Sequence, residues 1–531
     1  MAHRRWFIGI LTFAALLHVA AIHRTLVPAQ DGLKFLAAAR RFQSDPWIDV
    51  IKGTDQHPLY PALIAAVEPV SAALLGPGPD AWRIAAQGVS ALASLLLLFP
   101  LFALARAIFD ERVALIAVIL YVLLPVPGEV GRDTLGNALG LLGMTATLAL
   151  GAAAIRRDSW RLALAAGLAG GVGYLARPEA ILAPMAVGLA WTLYLARTRG
   201  ASAVATAPAL PALGLAVLVC VGSYALAKGQ VSEKLALRHA ASLGPQAAAR
   251  RSTPQPLPQG LAEAGLDLSA KEESDDKTLG GPVAALVWVG RKWWDEMCWG
   301  FAIMAVWGLA RRRAVQRLCD REPGAGGAEG LVLGVFAATY VLVLVRHGSS
   351  LGYLSSRHVL PLVAASSIWA GAGVFVCVRG LGMKLAVPPR AWRGAVAVVT
   401  AFVALILVVY QLRTGHESRR GHWEAGRWLV ANARAGEQIL DTRGWARFVA
   451  DRADGYDYWH VRQALSDRSL AYVVVGRDEL RAKSRRAESL NALLAFAATP
   501  VRDFPVIVDG RDVGTRIYRM NQPISWEGFT P

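Results

Sequence analysis

The feature that most constrains this chain is a series of long apolar runs divided by short loops. The runs cover residues 6–27, 82–105, 113–127, 134–154, 162–176, 179–196, 207–228, 293–310, 330–346, 357–378 and 394–412. About 20 apolar residues in a helix cross a hydrocarbon core about 30 Å thick. Within lipid, backbone amides must be satisfied inside their own segment, which for runs like these means helices. The expected fold is therefore an α-helical polytopic membrane protein of about eleven transmembrane helices. With 54% hydrophobic residues over 531 positions, a water-soluble globular fold is excluded. Segments 113–127 and 162–176 are short and need tilt or help from neighbours. The first run lacks a small-residue cleavage site and reads as a retained span.

The formal charge of +17 sits mainly in alternate loops, at Arg4 and Arg5, Arg106 and Arg112, Arg156, Arg157 and Arg161, Arg197 and Arg199, Arg311–Arg313 and Arg317, and Arg379, Lys384, Arg390 and Arg393. This is the positive-inside pattern of a membrane protein rather than a nucleic-acid footprint. It places the N-terminus in the cytoplasm, and an odd number of spans places the C-terminal region outside. The four cysteines (Cys220, Cys298, Cys319 and Cys377) lie in or beside apolar runs and suggest neither a disulfide nor a thiolate metal site.

Three outward regions are large. Residues 28–81 form the first loop, in which "YPALIAAVEPVSAALLG" reads as an amphipathic helix lying at the surface. Residues 229–285 form a second, polar and Pro-rich loop, expected to be mobile. The chain then divides into a membrane part, 1–412, and a small C-terminal α/β extracytoplasmic domain, 413–531. In the latter, helices are expected at "HWEAGRWLVANA" and "ELRAKSRRAESLNALLAF". Strands are expected at "EQILDT" and "LAYVVVG", and a terminal strand pair at "FPVIVDG" and "TRIYRM".

Chemistry-bearing residues gather at the outward turns. Asp31, in "PAQDGLKFLAAARRF", is a carboxylate at the edge of the first span and a general-base candidate. Asp-Gly before an apolar-periodic run is also a common helix start, which favours an N-cap role for Asp31, and the two roles are compatible. His57 and Asp55 lie in "TDQHPLYP", where the proline extends the histidine backbone. Arg132 and Asp133 begin one span, Arg177 and Glu179 occupy a hairpin tip, and Arg357 and His358 flank a late turn. Charges at a membrane edge require a partner or an anionic ligand, or else snorkel to headgroups. Brought together, these turns would present one base and several phosphate-binding cations.

With these residues the chain resembles the GT-C glycosyltransferases of the family 39 type, over residues 1 to about 412. The matching segments are "QDGLKFLAAARRF", "QHPLYPALIA", "GRDTLGNALGLL", "ARPEAILAP" and "SSRHVLPLVAASSIWAG", in that order. The resemblance implies a GT-C-like membrane domain and a polyprenyl-phosphate sugar donor. It implies Asp31 as the base that deprotonates an acceptor hydroxyl, followed by attack on the anomeric carbon with inversion. It implies donor-phosphate contacts from His57, Arg177 and Arg357. Asp55, Arg132, Asp133, Glu179 and His358 are additional candidates. Three departures stand out: Gly32 where many relatives have Glu, Leu59 in place of a second proline, and His358 where Tyr is common.

The expected setting is a bacterial inner membrane. No cofactor is expected; a divalent metal is not indicated by the ligand set. The acceptor class (protein, lipid or polysaccharide) is open, membrane lipid is an expected partner, and nucleic acid is not. A flippase of lipid-linked sugars and a catalytically inactive scaffold are the rival readings. A flippase would place charges near the bilayer midplane in paired repeats, and neither is visible in the sequence.

Overall fold

The computed structural model describes residues 2–200, 202, 204, 207–231, 281–319, 326–384, 388–452 and 455–524. Most of the expected mobile loop at 229–285 lies outside the described residues.

Helix α1 (Ala2–His23) leads into three short first-loop helices, α2 (Gln30–Ser44), α3 (Trp47–Gly53) and α4 (Leu59–Leu75). The bundle continues with α5 (Pro79–Ile108), α6 (Glu111–Leu123), α7 (Pro125–Arg132), α8 (Asn137–Arg157), α9 (Trp160–Ala176), α10 (Leu182–Thr198) and α11 (Ala209–Lys228). It is completed by α12 (Gly281–Glu296), α13 (Gly300–Ala310), α14 (Gly327–Leu351), α15 (Leu360–Lys384) and α16 (Pro389–Gln411). Among the described residues eight helices are long and apolar enough to cross a membrane, or nine when the α6–α7 pair, bent by 65°, counts as one span.

The expected count of eleven is thus reached only by including two shorter helices. Helix α9 has 17 residues and packs between α8 and α11. The expected run 293–310 is not continuous. It breaks into α12 and α13, because Cys298 and Trp299 adopt positive φ (51° and 49°) and end the helical ladder. Helix α13 is therefore only 11 residues long, and it fits closely against α15. A Cβ on Gly308 would lie 2.0 Å from the Trp369 carbonyl oxygen, and one on Gly373 2.0 Å from that of Met304. This is backbone-to-backbone packing through small residues, the kind that drives helix association where no water is present to be expelled.

Local sequence explains the turns. The Asp110 carboxylate accepts from the Val113 amide (2.9 Å) and caps α6, and the Ser159 hydroxyl caps α9. Between these caps the helices bury one apolar core from α1 through α15, while α16 stands almost wholly exposed along its length. The arginine clusters collect at one end of the bundle. There Arg156 pairs with the buried Glu329, Arg199 with Asp158, and Arg106 with Glu111. The first-loop helices and the C-terminal region occupy the other end.

The C-terminal region contains a four-stranded sheet of β1 (Gln438–Asp441), β2 (Leu470–Gly476), β3 (Ala498–Phe504) and β4 (Thr515–Met520), in the order β1-β2-β4-β3. Strands β1 and β2 are parallel, and the other pairs are antiparallel. Helices α17 (Arg420–Asn432), α18 (Trp445–Val449) and α19 (Arg485–Ala497) cover it. The expected partner of "TRIYRM" is corrected: β4 pairs with residues 498–504, while Ile507–Val508 forms a separate small hairpin with Arg511–Asp512. Strand β3 carries Pro500 and faces solvent along most of its length, as suits an edge strand. It therefore lacks the apolar pattern that marks a buried strand.

Candidate active site

The first-loop end converges on Asp31. Helix α2 rests on α4 and α5 through Phe35, Leu36, Tyr60 and Trp82, with Tyr60 and Phe35 edge-on at 5.1 Å. The Tyr60 hydroxyl donates to the Ala86 carbonyl (2.9 Å), which ties this layer to the span. The N-cap of α2 is Ala29, not Asp31, so the capping expectation is corrected. The cap comes instead from the turn before α8. The Ala29 amide donates to Asp133 Oδ1 (3.0 Å) and to the Thr134 hydroxyl (3.1 Å). Asp31 is left in the first helical turn, where the helix dipole favours a negative charge.

Its partner is Arg357, whose Nη2 donates to Asp31 Oδ2 at 3.0 Å. The Asp31 side chain is 58% exposed and that of Arg357 33%. A pair this exposed contributes about 0.2–1 kcal/mol to folding. Stability alone gives little reason for joining residues so far apart in sequence. Gly32 makes the approach of α2 feasible, since a Cβ there would lie 1.9 Å from Thr134 Oγ1. The departure from Asp-Glu at this position therefore has a steric cause: no larger side chain fits against Thr134.

The other candidates divide by environment. Arg177 is anchored, with two bonds to Glu179 (3.2 and 3.0 Å) and one to Asn137 Oδ1 (3.0 Å). Together with Glu179, Tyr340, Arg357 and His358 it lines a crevice of about 30 Å³. His358 Nδ1 accepts from the Ser355 amide (3.0 Å), which fixes its ring in the turn before α15. His57 is only 3% exposed, stacked on Tyr224 and edge-on to Tyr174, each at 5.0 Å. A lipid phosphate reaches it only if those rings move. Asp55 pairs at the surface with Lys34 (3.6 Å). Arg132 donates to the Gln411 and Arg413 carbonyls and secures the first-loop end of α16.

Asp133, its side chain 13% exposed, is also bonded to His416 (3.2 Å). Burial alone would raise its pKa. The hydrogen bond from His416, the Thr134 amide and the nearby Arg419 outweigh burial and hold the carboxyl below its ordinary value. Beside it is a polar cavity of about 240 Å³ lined by Glu129, Arg132, Asp133, Tyr410, Arg413 and His416. Among the described residues no three His, Cys, Asp or Glu side chains cluster closely enough to hold a metal ion.

Sequence reasoning missed the contribution of the C-terminal region. Arg419 donates to the Pro28 carbonyl (3.0 Å) and lies 4.3 Å over the Trp445 ring. The Trp445 indole donates to the same carbonyl (3.0 Å). Burial lowers the Arg419 pKa to about 10; the cations Arg443 and Arg357 push the same way, and Asp133 and Asp31 oppose them. Arg419 thus lies in the field of Asp31, although 388 positions separate them. The arginines in "GHESRRGHWEAGRW" carry no pattern that distinguishes this one from solvated neighbours.

Comparison with known proteins follows this geometry. Residues 56–224 match the family described as dolichyl-phosphate-mannose-protein mannosyltransferase. No curated protein matches the sequence. Among solved structures, ArnT from Cupriavidus metallidurans bound to undecaprenyl phosphate aligns over 97% of this chain and 98% of its own, at 14% identity and a TM-score of 0.59. The apo form of the same protein covers 98% of each chain, at 14% identity and a TM-score of 0.56. The archaeal oligosaccharyltransferase AglB from Archaeoglobus fulgidus, in complex with an inhibitory peptide and a dolichol-phosphate, covers 96% of this chain and 74% of its own (13% identity, TM-score 0.53). These alignments run over nearly the whole of this chain, and it has the GT-C fold.

Proposed function

We propose that this chain is a membrane glycosyltransferase that moves a sugar from a polyprenyl-phosphate donor to an acceptor hydroxyl at the first-loop face. On this reading the arginine-rich end faces the cytoplasm and the first-loop face lies outside, an orientation that the charge distribution supports. The observation that carries the reading is the Asp31–Arg357 contact, a carboxylate and a guanidinium held at 3.0 Å at the mouth of the bundle.

Each group has a task on this reading. Asp31 takes the proton of the acceptor hydroxyl, and the oxygen attacks the anomeric carbon from the face opposite the leaving group, so the configuration inverts. Polyprenyl phosphate departs with two electrons from the broken bond. Arg357, able to swing from Asp31 to that phosphate, stabilises the charge as it develops. One well-placed donor of this kind contributes about 3–4 kcal/mol to a barrier. Arg177 is restrained by Glu179, so it contributes a fixed charge at the crevice wall. His57 supports the wall from behind, between its two tyrosines. The lipid-bound forms of the structural neighbours, with undecaprenyl phosphate and dolichol-phosphate, support a donor of this class.

The test is release of label from radiolabelled polyprenyl-phosphate sugars by the purified chain in lipid nanodiscs. Transfer by the native chain, and none by Asp31→Asn at equal thermal stability, is the expected result. Equal turnover by both proteins removes Asp31 from the mechanism.

A further inference from the structure

We infer that the arginine-rich end carries a binding groove for one anionic glycerophospholipid, separate from the Asp31 face. A groove of about 820 Å³ lies between α5 and α8, larger than either cavity near Asp31. On α8 it is lined by Leu142, Ala146, Ala149 and Ala153, spaced as one helical face, and this face ends in Arg156 and Arg157. On α5 the stripe is Phe99 and Ala103, and it ends in Arg106. The alanines make the hollow, and Pro100 on α5 lies at its edge. Both stripes terminate in guanidiniums at the same end of the bundle.

Length selects the occupant. From Leu142 to Arg157 the helix rises about 22 Å. Half of a bilayer's hydrocarbon core is about 15 Å, and the interface beyond it adds about 5–7 Å. The groove is therefore about as long as one leaflet is deep, the length of a lipid in one leaflet. A soluble anion would leave the apolar stripe uncovered.

Charge selects the headgroup. Arg156 is bonded to the buried Glu329 and Arg106 to Glu111, while Arg157 has no ion-pair partner among the described residues. Among the described residues the rim presents three guanidiniums, Arg106, Arg156 and Arg157, a cationic end that attracts a lipid phosphodiester. A lipid that carries its own ammonium brings no net charge to this rim.

The proposal does not depend on the enzymatic reading. Its test uses the full-length chain in detergent, titrated with phosphatidylglycerol or phosphatidylcholine of identical acyl chains, with retained lipid counted by native mass spectrometry. One phosphatidylglycerol is expected to be retained with about a ten- to thirtyfold preference, the scale of two interfacial arginines. The double variant Arg106→Gln/Arg157→Gln, at exposed positions, is expected to lose the preference while keeping its thermal stability in pure detergent. Ala149→Phe, which fills the groove, is expected to lose the bound lipid. If Ala149→Phe fails to fold, the arginine variant still decides. An unchanged preference in the arginine variant, or equal protection by inorganic phosphate alone, overturns the proposal.

Discussion

Arg357 and Asp31 meet at 3.0 Å although 326 positions separate them, one in the turn before α15 and the other in the first turn of α2. The two charges belong to separate turns at the first-loop end of the bundle, which only the folded bundle brings together. Because both remain partly exposed, the pair is a weak structural tie and an accessible chemical one.

Replacement of Asp31 by Asn is accordingly expected to lower transfer by about 10²–10⁴-fold, the scale of a lost general base. The melting temperature should stay within a degree or two of the native value. Initial rates with a labelled lipid-phosphate donor, alongside a detergent melting curve, check both halves of the expectation.

Arg357→Gln should reduce turnover by about 10²–10³-fold, as for loss of one preorganised donor to a developing anion. Arg357→Lys retains a charge but lacks the planar fork, so it should recover only part of that loss. Donor KM and kcat measured for the two variants separate binding from leaving-group stabilisation. Native kinetics in Arg357→Gln would exclude a role for this residue.

At Gly32 the expectation is steric. Ala there meets Thr134 at 1.9 Å, so α2 must shift, at a cost of about 1–3 kcal/mol. The shift also displaces Asp31 from Arg357. A lowered melting temperature together with reduced transfer is expected, with partial recovery on adding Thr134→Gly. A fully active and fully stable Gly32→Ala would show that the contact has more room than described.

Acid should weaken the C-terminal region through His422. The ring packs against Trp445 at 5.2 Å, and its pKa is pulled down to about 4. Burial is the main cause; Arg443 and Arg419 add to it, and Asp441 and Asp478 oppose it. In the unfolded chain the same ring titrates near 6.5. The unfolded state therefore binds the extra proton first as pH falls. The stability that the neutral ring contributes is complete above about 6.5 and is lost on descent toward 4, by on the order of 3 kcal/mol. His422→Phe should flatten the fall in melting temperature between pH 7 and pH 4.5. A slope identical to that of the native chain assigns the acid effect elsewhere.

Much of the membrane part is legible in the sequence because a span is a local property: apolar length and flanking arginines suffice for α1, α5, α8, α10, α11 and α14–α16. The α12–α13 break was not legible, since Cys298 and Trp299 are not residues that announce a left-handed backbone. Asp31 stands out as a candidate from its place beside a span, and Arg357 from its place in a turn. Their contact depends on bundle packing, which no local pattern encodes. The same holds for the cap of α2. "QDG" suggests self-capping by Asp31, yet Asp133 and Thr134, more than 100 positions away, supply the cap and free the carboxylate. Arg419 was invisible because its importance comes from burial against Trp445 and Pro28.

The segment before Asp31 is gripped from several directions. Arg24 and Leu26 exchange backbone bonds with Gly415, the Pro28 carbonyl receives Arg419 and Trp445, and the Ala29 amide is taken by Asp133 and Thr134. A carboxylate held this way has given up its freedom when the protein folds, and on the proposed reading substrate encounter need not supply that ordering. It follows that exchanging the C-terminal region for that of a distant homologue would reset the position of a carboxylate near the other terminus. Chimeras joined just after α16 should therefore lose turnover even when every membrane helix is native.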